Sequence, residues 1–299
     1  MKVLVSGSRG LIGSAIVRDL AGEGHIVTRL VRSSPGTGGD AAIWNPEKGT
    51  VDCNGLTGHD AVVHLAGENI AGSSWTPKRK ALIRDSRVRG TRLLCESLLR
   101  LERPPNTLVC ASATGYYGDR GSEILREDSP PGEGFLSEVC REWEEATGEA
   151  ARKGIRVVNL RIGMVLSAEG GALAKMLPVF RAGAGGRIGD GEQYVSWIAL
   201  PDLVGVIRHA LATDSMEGPV NAVAPHPVTN REFTKLLGRI LGRPTIAALP
   251  AFAARLLFGE MADELLLAST RAEPAKLLAS GYRFRLPELE GALRSLLGK

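Results

Sequence analysis

The spacing of hydrophobic positions changes once in the opening stretch. Val3, Leu4 and Val5 form an unbroken apolar run, and Leu11, Ile12, Ala15, Ile16 and Leu20 then recur at helical spacing. Such a pattern predicts a buried strand, a tight turn and a helix. The alternation repeats. Strands are predicted at His25–Val31, Ala42–Trp44, Ala61–Leu65, Thr107–Ala111 and Arg156–Leu160, and long helices at Lys78–Leu101 and Glu138–Ala151. Strands that are apolar throughout, each followed by a helix, imply a parallel sheet covered on both faces. The expected fold class is α/β, a doubly wound parallel sheet of the Rossmann type with its crevice at the strands' carboxyl ends. Further on, Leu173–Arg181 and Thr229–Leu241 read as helices, the second capped by Thr229 or Asn230. The segments Pro250–Phe258, Glu260–Ala268, Pro274–Ala279 and Pro287–Leu297 read as short helices broken by Gly and Pro. Three regions are therefore expected: 1–165 for a dinucleotide, 166–249 as substrate-side segments interleaved with the core, and 250–299 as a small helical domain.

Between the first strand and helix stand Gly7, Gly10 and Gly13. Glycine suits a sharp turn, a backbone that approaches a pyrophosphate and a helix packed closely on its strand. The N–H groups opening the helix then face the phosphates. The second strand ends Val31-Arg32-Ser33-Ser34, without the acidic residue that binds ribose hydroxyls in an NAD site. Arg32 can instead pair with a 2′-phosphate, with Arg9 closing from the glycine turn, so NADP(H) is the expected cofactor. The rival reading makes both solvated loop arginines. Gly36–Gly39 reads as loop, and Ala66 and Gly67 let backbone lie against the cofactor while Glu68 and Asn69 point into the crevice.

Composition narrows the class. At 299 residues, 43% hydrophobic and 23% charged, the chain can bury a large core and contains no long uncharged apolar run, so no membrane span is expected. Its Met-Lys start runs straight into a strand, and a cytoplasmic protein without a leader is expected. Cys53, Cys95, Cys110 and Cys140 are scattered and the five histidines lack ligand spacing, so neither disulfides nor a metal are expected. A net charge of +4 suits an anionic cofactor but falls short of a nucleic-acid signature. The helix carrying Lys78, Arg79, Lys80, Arg84, Arg87, Arg89 and Arg92 is most simply a solvated face, with Arg84 and Arg87 sharing one side.

The glycine turn and His64-Leu-Ala-Gly67 resemble the short-chain dehydrogenase/reductase superfamily. Ala66-Gly-Glu-Asn-Ile70, Ser86-Arg-Val88, Ala113-Thr-Gly-Tyr-Tyr-Gly118, Phe135 to Glu144, Gly189-Asp-Gly-Glu-Gln193 and Gly218-Pro-Val-Asn221 resemble its atypical branch known as "epimerase family protein". Gly259-Glu-Met-Ala through Gly281-Tyr-Arg-Phe is similar to the helical domain of unknown function that closes that branch. The resemblance spans essentially the whole chain. It implies the fold and NADP(H) binding, with cofactor positions at Gly7, Arg9, Gly10, Ile12, Gly13, Arg32, Leu65, Ala66, Gly67, Arg87 and Val165. It names no substrate.

The superfamily's proton chemistry uses a serine with a Tyr-x-x-x-Lys pair on one helix face, the lysine lowering the tyrosine pKa. Ser112 matches the serine, but Phe135 and Val139 stand where tyrosine and lysine belong, and none of the four tyrosines precedes a lysine at that spacing. Tyr116 or Tyr117 could serve as a displaced acid, giving Ser112 and Tyr116 as the catalytic candidates. The rival reading makes Ser112 a strand-end hydrogen bonder and the tyrosines pocket wall. Glu68, Glu138 and Arg161 are further polar candidates, and Arg181, Gln193 and Trp197 candidate pocket residues. The sequence thus points to an NADP(H)-binding epimerase or oxidoreductase acting on a small molecule such as a sugar nucleotide, with the two long helices as the candidate surface of a homodimer. A non-catalytic NADP(H)-binding redox sensor or assembly protein is the alternative, and an RNA-binding scaffold using the basic helix a weaker third.

Overall fold

The computed structural model describes residues 1–32 and 41–299. The expectations for Ser33, Ser34 and Gly36–Gly39 lie outside the described residues. In chain order the elements are β1 (Lys2–Ser6), α1 (Leu11–Gly22), β2 (Ile26–Val31), β3 (Ala41–Asn45), β4 (Thr50–Val51), β5 (Ala61–His64), α2 (Pro77–Leu99) and β6 (Thr107–Ala113). There follow β7 (Ile124–Leu125), α3 (Phe135–Glu145), α4 (Gly148–Arg152), β8 (Arg156–Ile162), β9 (Met164–Leu166), α5 (Gly171–Arg181), β10 (Tyr194–Val195), β11 (Trp197–Ala199) and α6 (Leu200–Ala212). The rest is β12 (Gly218–Ala222), β13 (Val228–Thr229), α7 (Asn230–Leu241), α8 (Ala251–Phe258), α9 (Glu260–Ala262), β14 (Arg271–Ala272), α10 (Ala275–Ala279) and α11 (Leu289–Leu297).

The main sheet runs β12-β8-β6-β5-β1-β2-β3-β4. All its pairings are parallel except that of β3 with β4. The chain builds outward from β1 through β2 and β3, then returns to the other side of β1 at β5, so the strand order reverses between β1 and β5. In a doubly wound sheet that reversal opens a crevice at the strands' carboxyl ends. Val3, Val5, Ala61, Val63 and Val158 pack with Ile16 and Leu20 of α1 and Leu203 and Ile207 of α6 on one face. Leu4, Val62, Leu108 and Cys110 pack with Leu94 and Leu98 of α2 and Trp143 of α3 on the other. Alternate residues of each strand serve opposite faces, which is why the strands read as continuous apolar runs.

Two differences from the sequence reading have physical causes. The expected helix Glu138–Ala151 is two helices, because the Thr147 hydroxyl donates to Glu144 O at 2.7 Å and draws that carbonyl out of the helical ladder. The expected helix Glu260–Ala268 narrows to Glu260–Ala262, and the chain then widens through Asp263–Leu267. That widening carries Glu264 to the amino end of α3, where its carboxylate accepts from Phe135 N at 2.8 Å and Leu136 N at 3.0 Å. Strand β12 has only five residues, Pro219 among them, and lies at the sheet edge, where a missing donor is tolerated.

The carboxyl-terminal region is small and largely helical, and it wraps back on the rest. Leu277 joins the core under the sheet, while Leu289, Ala292 and Leu293 pack with Phe180 of α5 and Phe233 of α7. Buried Asp202 fastens this return, accepting from Arg285 N at 2.7 Å and Leu286 N at 2.9 Å.

Candidate functional site

The glycine turn is seated on the end of β5. Gly7 has φ +65°, and a Cβ there would stand 2.7 Å from the Leu65 carbonyl carbon and 2.9 Å from Ala66 N. A Cβ on Gly13 would fall 2.1 Å from Gly7 O, which leaves glycine as the residue that lets α1 pack on the turn. Gly10 N donates to Gly7 O at 2.9 Å, and no side chain caps α1. The first N–H groups of the helix are therefore free to face a ligand, as a pyrophosphate site requires. A buried network fixes the two strand ends. Ser6 Oγ accepts from Leu65 N at 3.1 Å and Ala66 N at 3.3 Å, so its proton goes to His64 Nδ1 at 2.7 Å. The imidazole N–H then lies on Nε2 and donates to Thr91 Oγ1 at 3.0 Å, to which Trp143 Nε1 also donates at 2.9 Å. Burial lowers the His64 pKa to about 4, and the ring stays neutral.

Several of the predicted positions lie near this turn. Leu11, Ile12, Leu65 and Val165 are part-buried on the same core, forming an apolar flank. Arg9 is exposed on the turn and Arg32 at the end of β2, where its only ion pair among the described residues is a loose 4.0 Å contact with Glu47. Gly67 packs on Arg87, whose guanidinium carbon would be 3.3 Å from a Cβ there. Arg87 Nη1 donates to Glu68 O at 3.0 Å and Ile83 O at 3.1 Å, so it holds the loop after β5. Glu68 is tied to Arg79 at 2.8 Å. Arg29 was missed by sequence reasoning: from β2 it donates to Ser8 O at 3.2 Å and steadies the turn. Its signal was an arginine inside a strand whose other residues are apolar except Thr28. Other cations of the basic helix are also committed internally, Lys80 to Glu260 at 2.7 Å and Arg89 to Asp85 at 3.4 Å. Arg84 pairs with Glu142.

Ser112 lies at the end of β6, buried, with its hydroxyl donating to Glu144 Oε1 at 2.7 Å. Arg161 of β8 grips the same carboxylate through two bonds of 2.9 Å. It also donates to the Tyr117 hydroxyl at 2.9 Å, and that hydroxyl in turn donates to Asn221 Oδ1 at 2.7 Å. Burial alone would lower the Arg161 pKa, but the hydrogen bonds and charge of Glu144 outweigh it and the net shift is upward. Burial pushes the Tyr117 phenol up to about 12. Tyr116 is half-buried, its ring 3.5 Å from the Arg161 guanidinium carbon, and its hydroxyl has no protein partner among the described residues. Phe135 opens α3 with its ring edge-on to Trp75, and Val139 is buried one turn later. Glu138 points to solvent. Sequence reasoning did not weigh Glu144, although it closes the Phe135 to Glu144 motif.

Beside the loop after β6 lies a cavity of about 390 Å³, bounded by Gly115 and Leu136, by Gly189, Asp190 and Gln193, and by residues 251–270 of the carboxyl-terminal region. Gln193 lines it, as expected of a pocket residue. Trp197 is fully buried in the core, its indole N–H on His226 O at 3.0 Å, and Arg181 is exposed at the end of α5 away from the lining. Among the described residues no group of His, Cys, Asp and Glu is placed to hold a metal ion, and no helix is long and apolar enough to cross a membrane.

The sequence profile of the NAD dependent epimerase/dehydratase family matches residues 3–223. The chain belongs to this family. A domain of unknown function, DUF1731, matches residues 249–296. One such family member, the "Epimerase family protein MT2273" of Mycobacterium tuberculosis, is 45% identical over 282 residues, covering 94% of this chain and 93% of its own. The human epimerase family protein SDR39U1, solved with NADPH, superposes with a TM-score of 0.91 at 35% identity over 100% of both chains. A nucleoside-diphosphate sugar epimerase of Corynebacterium glutamicum superposes with a TM-score of 0.82 at 39% identity, covering 100% of this chain and 58% of that one.

Proposed function

We propose that the protein is an NADP(H)-dependent oxidoreductase or epimerase whose proton chemistry is supplied by Tyr116 and Ser112 in place of a Tyr-x-x-x-Lys pair. The observation that carries the cofactor is the end of β2: among the described residues the strand is followed by exposed Arg32, Arg9 of the glycine turn is exposed as well, and no carboxylate stands at the strand end itself. A planar guanidinium matches a 2′-phosphate, whereas an acidic residue would repel it. The NADPH bound by the human relative supports the same choice. Gly7, Gly10, Ile12 and Gly13 cradle the pyrophosphate, Leu65, Ala66, Gly67 and Val165 line the crevice, and Arg87 positions the loop after β5. When bound, NADP(H) gives or takes the hydride.

The tyrosines divide by environment. The Tyr117 phenol is buried, engaged on both sides and pushed up to about 12 by burial, which suits a structural post. The Tyr116 hydroxyl is uncommitted among the described residues and its ring rests on Arg161, so Tyr116 is the acid of this reading. Glu144 holds Arg161, against which the Tyr116 ring lies. Residues 1–165 hold the cofactor, while 166–249 and 250–299 close the substrate cavity. Single-turnover mixing of NADPH-loaded protein with panels of carbonyl compounds and sugars tests the reading. One panel member should quench nicotinamide fluorescence, and Tyr116→Phe should slow that step by about a hundredfold. Fluorescence that persists with every compound contradicts catalysis. The alternative, a non-catalytic NADP(H)-binding sensor or assembly protein, draws on one observation: the Ser112 hydroxyl is buried and already donates to Glu144.

A further inference from the structure

Helix α8 of the carboxyl-terminal region turns its apolar side outward. Its single buried residue is Ala254. At about 100° per residue, Ala251, Ala254 and Arg255 fall on one side of the helix and Phe252, Ala253, Leu256 and Leu257 on the other. Ala251 and Arg255 line the cavity beside the loop after β6, so the second side points away from it. Phe252, Leu256 and Leu257 are 72%, 85% and 63% exposed, and Ile246, in the segment leading into α8, is 90% exposed. Among the described residues no other large apolar side chain exceeds 53%. Exposed apolar side chains are ordinary when scattered singly; gathered in one stretch they mark a contact surface.

The charge of the same stretch has one sign. Residues 233–259 include Lys235, Arg239, Arg243 and Arg255 and neither Asp nor Glu. Lys235 and Arg239 stand one turn apart on the solvent side of α7, Arg243 is exposed just beyond its end, and none of the three makes an ion pair among the described residues. Arg255 is paired with Asp263 at 2.8 Å. The link from α7 to α8 is pinned to the body of the protein, Arg243 N donating to Gly238 O at 2.9 Å and Leu249 N to Arg187 O at 2.9 Å. Chain length alone keeps Ile246 within about 11 Å of Arg243, and Phe252 within about 22 Å of Ile246. The cations therefore border the apolar side chains.

We infer that α8 and the segment before it dock on an anionic lipid surface, with Ile246, Phe252, Leu256 and Leu257 entering the interface and Lys235, Arg239 and Arg243 meeting the headgroups. An apolar helix face bordered by cations is the pattern of a peripheral membrane contact, in which apolar burial and attraction to anionic lipid add. Side chains this exposed project from the surface and line no groove for a peptide. A second copy of the chain fits less well. The three large side chains of α8, at no more than about 250 Å² each, fall short of the roughly 800 Å² per partner that a stable dimer buries. A twofold contact through this one patch would also set its cations against the same cations of the other copy.

Co-sedimentation of the full chain with lipid vesicles tests the inference, using phosphatidylcholine alone and equal parts of phosphatidylcholine and phosphatidylglycerol. The protein should bind the anionic vesicles at least about tenfold more tightly than the neutral ones, and the difference should shrink as salt is raised. Phe252→Ser combined with Leu256→Ser should weaken binding to the anionic vesicles by about tenfold or more without altering the Kd for NADPH. Arg239→Glu combined with Arg243→Glu should remove the preference for anionic lipid while every apolar anchor stays in place, and it decides alone if the first variant fails to fold. Absence of binding to the anionic vesicles overturns the inference and leaves the face to a protein partner. Binding that is unchanged in either variant overturns it too. Sedimentation velocity without lipid separates the remaining occupant: a dimer that Phe252→Ser with Leu256→Ser dissolves would assign the face to a second copy and overturn the inference, whereas parent and variant of equal mass support it.

Discussion

Replacing Glu144 by Gln removes the charge on which three elements converge. The side chains of Arg161 and Glu144 are 3% and 13% exposed, and they meet through two hydrogen bonds of 2.9 Å, with Ser112 adding a third bond of 2.7 Å to the carboxylate. Glutamine keeps the shape and can still accept from Ser112, but it leaves a buried guanidinium without a counter-charge. Breaking a buried pair from one side costs about 3–5 kcal/mol, most of it the cost of the stranded ion. Removing both partners, as in Glu144→Gln with Arg161→Met, strands no charge and should cost clearly less than the two single changes added together. Urea unfolding followed by tryptophan fluorescence and circular dichroism reads the difference. With m near 3 kcal/mol/M, the midpoint of Glu144→Gln should fall by roughly 1–1.7 M with the slope unchanged. A midpoint within about 0.3 M of the parent, or additive losses in the double variant, would refute the view that this pair holds β6, α3 and β8 in register.

Other expectations follow from the same geometry. Gly13→Ala, whose Cβ would fall 2.1 Å from Gly7 O, should abolish NADPH binding by calorimetry while leaving the far-ultraviolet spectrum near normal; retained binding would show that the turn is not the cradle. His64 has a folded pKa of about 4 against about 6.5 unfolded, so the unfolded chain takes up the proton first. Its contribution is complete above the unfolded value and is lost as pH falls through the window to about 4, a change of about 3 kcal/mol that a His64→Gln variant should lack in urea melts across pH. Asp202→Ala removes the acceptor of Arg285 N and Leu286 N and should cost about 2–4 kcal/mol while exposing the carboxyl-terminal region to limited proteolysis; an unchanged digestion pattern would contradict that anchoring role.

The sheet was legible because its strands are buried on both faces, so Val3–Val5 and Ala61–His64 carry an unambiguous apolar signal. The glycine turn was legible for a different reason: Gly7 and Gly13 are local requirements of backbone geometry, visible as spacing alone. Glu144, Arg29 and Glu264 escaped because their roles depend on contacts between distant segments. Glu264 caps a helix that begins 129 residues earlier, and nothing in its neighbours announces this. The break at Ala146 and Thr147 escaped because one hydroxyl turned back on a carbonyl outweighs a sound helical pattern. Gln193 was named as a pocket residue, but its amide is held by Ile188 O at 3.0 Å and by Leu266 O at 2.9 Å, and the second of these comes from a segment 73 residues away.

The central claim, that the β1–α1 cradle with Arg32 selects a 2′-phosphate, is tested most directly by calorimetry of NADPH against NADH on the parent protein and on Arg32→Asp. An exposed charge-assisted contact of this kind predicts that the parent prefers NADPH by about tenfold to a hundredfold and that Arg32→Asp loses or reverses the preference. Equal affinities in the parent, or an Arg32→Asp protein that still prefers NADPH, would contradict it.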